Sequence, residues 1–174
     1  VKLGTAIRRF LIPGFVVQWI YFLRCRALVS ARAEVELSSK ARLGKGTVIG
    51  SFTKVKVVGP FVTGTRVHIG PNCFLEAGEA GMEIGDDVMI GPSCTFVTTA
   101  FNYGKVGIAL PDQGHTSKRI VIGKRTWISS NCSILGGVTI GEDVIVTPGA
   151  VVQSDIPDRA IVQGNPAKPV FVRR

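Results

Sequence analysis

Along residues 122–156 an aliphatic side chain returns at every sixth position: Ile122, Ile128, Ile134, Ile140, Val146 and Val152. Four places after each comes a smaller or β-branched residue: Thr126, Cys132, Val138, Val144, Ala150 and Ile156. A period of six is neither that of a helix nor that of a half-buried strand. It is the mark of stacked coils, each hexapeptide giving one short strand and one turn. The first position points a large chain into a narrow interior, and the fifth is smaller because it shares that space. Gly123 and Gly141 fill second positions, where the corner calls for permissive dihedrals. Three hexapeptides close a triangular coil, and coils stack by parallel pairing.

The same spacing runs upstream in weaker form, through Leu37, Leu43, Ile49, Val55, Phe61 and Val67, with Ala41, Thr47, Thr53 and Thr65 at fifth positions. The phase then slips to Ile69, slips again between Glu79 and Met82, and continues through Ile84 and Ile90. Residues 100–119 break the pattern with turn residues throughout. A loop of that length in a compact repeat points to function. The repeat ends after Asp155-Ile-Pro, and Val170-Phe-Val-Arg-Arg closes the chain out of phase.

Residues 1–34 carry no hexapeptide phase. The run 11–23 is apolar apart from Gly14 and Gln18, and Pro13 suits a first helical turn, so a helix is predicted over 13–29. The run is shorter than the roughly 20 residues a bilayer span requires, and no small-residue cleavage site follows it, which argues against a signal peptide. Two readings stand. The helix packs on the coil or on a neighbouring subunit, or it lies in a membrane interface with Trp19, Tyr21 and Phe22 at the headgroups and Arg8, Arg9, Arg24, Arg26 and Arg32 meeting anionic lipid. The domain boundary is set at residues 1–34 and 35–174.

The net charge of +9 suits an anionic partner without choosing one. No nucleic-acid motif or basic run with interleaved aromatics is present, so nucleic acid is not expected. Cys73, Cys94 and Cys132 all fall at fifth positions and read as core filler; with Cys25 they form no zinc or redox spacing, and no metal is expected. Unpaired cysteines suit a reducing compartment, giving a cytoplasmic expectation, with peripheral contact on the inner face of the membrane under the interfacial reading.

The segments Ile120-Val-Ile-Gly-Lys-Arg-Thr-Trp-Ile-Ser-Ser-Asn and Ile134-Leu-Gly-Gly-Val-Thr-Ile-Gly, with Pro111-Asp-Gln-Gly, Asp155-Ile-Pro and Gly164-Asn-Pro-Ala-Lys, resemble the hexapeptide-repeat acyltransferases. The resemblance is nearest to the sugar and polysaccharide O-acetyltransferase branch that includes the galactoside and maltose acetyltransferases, and it covers about residues 35–170. It implies an all-β fold, a left-handed parallel β-helix with the N-terminal helical segment and one extruded loop, assembled as a homotrimer. Acetyl-CoA would lie between neighbouring β-helices, donating to a hydroxyl of a saccharide or lipid-linked saccharide in surface polysaccharide or glycoconjugate synthesis.

By the same resemblance Trp127 lines the groove near the acyl end, and the backbone N–H of Ser130 stabilises the developing oxyanion. Ser129 stands where the family usually has Gly. Pro148 and Gly149 pass along pantetheine and adenine. Gln153 and Ser154 match a Thr-Lys pair at the nucleotide end, and Lys168 meets a CoA phosphate. Phe101, Asn102, Tyr103, Asp112 and Gln113 form the substrate loop. The family's Asp-His-x-His stretch puts its histidines at Thr99 and Phe101 and an intervening Asp at Ala100, none of them a base. The chain has two histidines; His68 reads as structural, and His115, inside the loop, is the candidate base. Three readings follow: an enzyme using His115, an impaired or non-catalytic trimeric scaffold, or a chain altered at its active site. An N-acyltransferase on a nucleotide-sugar amine is the nearest enzymatic rival, since a neutral amine needs less base assistance.

Overall fold

The computed structural model describes residues 13–174. Arg8, Arg9 and the start of the apolar run at Leu11 lie outside the described residues. The chain winds as a left-handed β-helix whose three faces are parallel sheets of eight, six and five strands; the last strand of the eight-stranded sheet is antiparallel. Most strands are only two to four residues long, and burial alternates along them because successive side chains point to opposite faces.

Stacking turns the six-residue period into continuous interior columns. Val29, Ile49, Ile69, Ile90, Ile128, Val146 and Val162 stand in register behind the eight-stranded sheet. Val35, Val55, Leu75, Phe96, Ile134 and Val152 do so behind the six-stranded sheet. Thr63, Ile84, Ile122, Ile140 and Ile156 line the third face.

Several expectations change in detail. The early phase slip comes at Val58-Gly59-Pro60, between the strands Lys54–Val57 and Phe61–Thr63, rather than after Val67. Thr63 is therefore buried and bonds Thr47, whereas Thr65 is exposed. The second-position glycines are required by close approach, not by dihedrals. A Cβ on Gly123 would stand 2.5 Å from the Gly141 carbonyl carbon. The left-handed residues are two places further on, at Arg125 and Asp143.

The coil also begins earlier than Val35: Leu28–Val29 already pairs with Val48–Ile49. The helix, α1 (Gly14–Cys25), stops at Arg26, whose left-handed backbone caps it by donating its N–H to the Phe22 carbonyl. α1 covers the first coil. Tyr21 is buried there and donates to the Glu36 carbonyl at 3.0 Å; burial above all pushes its phenol up to about 12. At the other end Lys168–Val172 folds back antiparallel on Ala160–Gln163, so the C-terminal tail closes the sheet edge.

Candidate active site

The edge between the eight- and six-stranded sheets is built by one turn repeated coil after coil. In the strand Trp127–Ile128, alternation buries Ile128 and leaves Trp127 half exposed on the outer face. Ser129 follows, buried, its N–H given to the Val146 carbonyl at 2.9 Å. The Ser130 N–H has no acceptor among the described residues, while its carbonyl accepts from the Gly149 N–H. Gly91-Pro92 occupies the same place in the preceding coil and Thr147-Pro148 in the following one. A Cβ on Gly91 would lie 2.8 Å from both the Ser129 carbonyl carbon and the Ser130 nitrogen, so at this coil the close approach calls for glycine.

The result is an open groove of about 490 Å³ lined by Gly91, Pro92, Trp127, Ser129, Ser130, Ile145, Thr147 and Pro148. Behind it, thiols fasten the corners from inside: Cys73 donates to the Gly91 carbonyl, Cys94 to Ser129 at 2.9 Å, and Cys132 to Thr147 at 3.2 Å. The neighbouring thiols of Cys132 and Cys73, together with burial, hold the Cys94 thiol well above its ordinary value, as a donor rather than a nucleophile. The Thr147 hydroxyl is buried without a hydrogen-bond partner among the described residues.

The loop leaves from a different edge, between the six- and five-stranded sheets. Its stem is an antiparallel hairpin of Thr99–Phe101 and His115–Ser117. Thr99 stands opposite Ser117, Ala100 opposite Thr116, and Phe101 opposite His115. Directly opposed side chains share a face with Cβ atoms about 5 Å apart, so the exposed His115 shares the face of Phe101. Asn102 and Gln113, assigned to the substrate loop, hold that loop together. Gln113 accepts from the Lys105 N–H and donates to the carbonyls of Lys105 and Ile108. Asn102 donates to the Gln113 carbonyl and accepts from Thr116. Tyr103 and Asp112 are exposed, the latter in a 3₁₀ turn, Leu110–Gln113.

Of the residues singled out in sequence, the fold brings Trp127, Ser129, Ser130 and Pro148 to one groove, with Gly149 beside it. Lys168 follows a turn one coil beyond on the same edge, where the Val151 N–H bonds the Gly164 carbonyl and the Ala167 N–H bonds Val151. His115, Gln153 and Ser154 lie on the loop's edge, apart from the groove within one chain. His68 is exposed, between Val48 and Met89 on the outer face of the eight-stranded sheet. Gly91, Pro92, Ile145 and Thr147 were not foreseen, although Gly91-Pro92 and Thr147-Pro148 repeat the hexapeptide place of Ser129-Ser130.

Ion pairs brace the third edge. Arg125 bonds Asp143 at 2.7 Å and Glu142 at 3.0 Å, which holds the Asp143 carboxyl below its usual range. Asp86 is lowered likewise, by the Thr65 N–H. Among the described residues no group of three His, Cys, Asp or Glu is placed to hold a metal.

Residues 119–154 match the family described as bacterial transferase hexapeptide (six repeats). The chain is 29% identical over 93% of its length to a Mycobacterium tuberculosis protein named a probable acetyltransferase, and 32% identical over 62% to the galactoside O-acetyltransferase of Escherichia coli K12. It spans about half the length of these curated relatives, 53% and 55%. Its fold is that of a mutant form of AntD, an N-acyltransferase from Bacillus cereus in complex with dTDP and coenzyme A: TM-score 0.78 at 21% identity, covering 90% of this chain and 88% of that one. The hexapeptide-repeat acetyltransferase VCA0836 of Vibrio cholerae, in complex with acetyl coenzyme A, matches with TM-score 0.60 at 24% identity over 98% of this chain and 83% of that one.

Proposed function

We propose that this chain, built on the hexapeptide repeat of the bacterial transferases, moves an acetyl group from acetyl-CoA to a saccharide hydroxyl. The observation that carries the reading is the Ser130 N–H, without an acceptor among the described residues and beside Trp127 in an open groove. In the reaction the acceptor oxygen loses its proton to a base and attacks the thioester carbonyl. The Ser130 N–H donates to the oxyanion, a bond whose removal costs roughly 3–4 kcal/mol in comparable sites. The C–S bond then breaks, and CoA leaves as the thiolate, which takes up a proton. His115 serves as the base. It shares a hairpin face with Phe101, the place where the resembling family carries a histidine, so the imidazole is transposed across the strand pair. Lys168, one coil beyond Pro148 on the same edge, meets a phosphate of the donor.

Groove and base lie on different edges of one prism, so a complete site requires the groove edge of one copy against the loop edge of another. The outer face of the eight-stranded sheet supports such an assembly: Leu28, Val48, Met89, Trp127, Ile145, Ile161 and Phe171 stand in one row there, apolar except for His68 between Val48 and Met89. The corresponding row on the six-stranded sheet begins Glu34, Lys54. A homotrimer satisfies this arrangement.

An amine of a nucleotide sugar is the second acceptor reading. It is favoured by the absence of histidine at Thr99 and Phe101 and by likeness to an N-acyltransferase bound to dTDP. Calorimetric titration with acetyl-CoA and with CoA tests the common ground. Saturable binding near one per subunit is expected; no binding at millimolar ligand would overturn the donor groove and leave a trimeric scaffold. With binding in hand, CoA release against a panel of sugar alcohols and amino sugars separates the two acceptors.

A further inference from the structure

The helix that covers the first coil has two faces. Val17, Tyr21 and Cys25, spaced by four, turn inward on the core. Phe15, Trp19, Phe22 and Leu23 turn outward, and Leu23 is 74% exposed. Trp19 and Phe22 pack edge to face, 6.5 Å between centroids, so these two rings form one aromatic patch on the outer face. Arg24 sits in the last turn and the first turn has no acidic residue. Beside the helix, Arg32 lies over the exposed ring of Phe52 at 5.8 Å.

The charge of the chain is distributed to match. Residues 61–174 carry ten Lys and Arg against ten Asp and Glu, whereas residues 1–60 carry eleven against two. The whole net charge of +9 therefore belongs to the first third of the chain. Of the two acids, Glu34 pairs with Lys54 and Glu36 accepts from the Val57 N–H.

We propose that this helix-capped end docks on an anionic lipid surface, with α1 lying flat at the headgroup level. An apolar face flanked by arginines is what such an interface holds, by buried apolar area and by attraction to anionic headgroups. No described helix is long and apolar enough to cross a membrane, and α1 spans only about 18 Å. A second copy is a poor occupant, because joining two such ends would bring like charges together. Trp127 lies four coil steps from Leu28–Val29, about 19 Å at the usual strand spacing. Given the donor-groove reading, docking would hold that groove just above the headgroups, within reach of an acceptor carried on a lipid.

The test is flotation of the full chain with phosphatidylcholine vesicles, with and without phosphatidylglycerol. Flotation is expected only with the anionic lipid, and weaker as salt rises. Arg24→Gln should weaken it about fivefold, the worth of one basic residue near the surface. Trp19→Ser with Leu23→Ser should weaken it at least about tenfold, since both lose buried apolar area. In a Trp127→Phe background Trp19 is the one remaining tryptophan; its emission should shift to the blue on binding and be quenched by brominated lipid. Thermal melts of the exposed-face variants should match the parent. Three results would overturn the proposal: no flotation with either vesicle, flotation that ignores Trp19 and Leu23 and leaves emission unquenched, or a blue shift that tracks protein concentration without lipid. The assay contains no acyl donor, so its failure would leave the donor groove standing.

Discussion

The groove corner and the extruded loop leave the same coil and place their chemistry by opposite means. At the corner the working groups belong to the backbone, and stacking fixes them. Gly91, Ser129 and Thr147 repeat one turn in three coils, their carbonyls fastened from behind by thiols, and the Ser130 N–H at the groove has no acceptor among the described residues. In the loop the proposed base is a side chain, His115, held by a two-strand stem and a tip tied by Gln113. Tyr103 is 83% exposed there. A repeat supplies precise backbone and little freedom; an insertion supplies a side chain, which in the proposed assembly a second copy orients.

The largest expected effect falls on the loop. His115→Ala should lower turnover by on the order of 10²–10⁴, with acetyl-CoA affinity unchanged by calorimetry and rate partly restored by added imidazole. Unchanged turnover would remove His115 from the chemistry and favour an amine acceptor. Gly91→Ala strikes the corner instead. Its new methyl meets the Ser129–Ser130 peptide at 2.8 Å, overpacking that costs about 1–3 kcal/mol, with a lower melting midpoint and lost donor binding.

Thr147→Val separates affinity from stability. The parent hydroxyl is buried without a partner among the described residues, so its removal should leave the melting midpoint equal or higher. If a donor amide is its partner, acetyl-CoA should bind about five- to tenfold more weakly, one neutral hydrogen bond. The smallest effect is Gly104→Ala at the loop tip, where a Cβ meets nothing within 4 Å; stability should stay within about 0.5 kcal/mol. Were Gly104→Ala to cost as much as Gly91→Ala, the contrast between corner and loop would fail.

Acid should loosen the third edge before the core. The carboxyls of Asp86 and Asp143 are held low in the folded chain by the Thr65 N–H and by Arg125. Their stabilisation is present above the unfolded carboxylate range, near 4, and is lost as pH falls through their depressed folded values. Asp86 is exposed and Asp143 half-buried at the surface, so the loss should be small and read best by hydrogen exchange at Thr65 and Arg125.

What the sequence determined by itself is which side chains point inward. Six-residue spacing encodes inside and outside locally, so Cys73, Cys94 and Cys132 were legible as interior before any coordinate, and so were the columns of Ile128, Ile134 and Ile140. The family motifs added Trp127 and Ser130 as groove residues. Tertiary structure alone decided which residue lies against which in the next coil, because that depends on the insertions between them. Ile90 stands against Ile128 across the whole loop, which brings Gly91 beneath Ser130. The slip at Val58-Gly59-Pro60 buries Thr63 and exposes Thr65, a choice that local spacing leaves open. The edge from which the loop departs, the pairing of His115 with Phe101 and the outward face of α1 are long-range outcomes too: each is fixed by packing between segments distant in sequence, where a local period carries no signal.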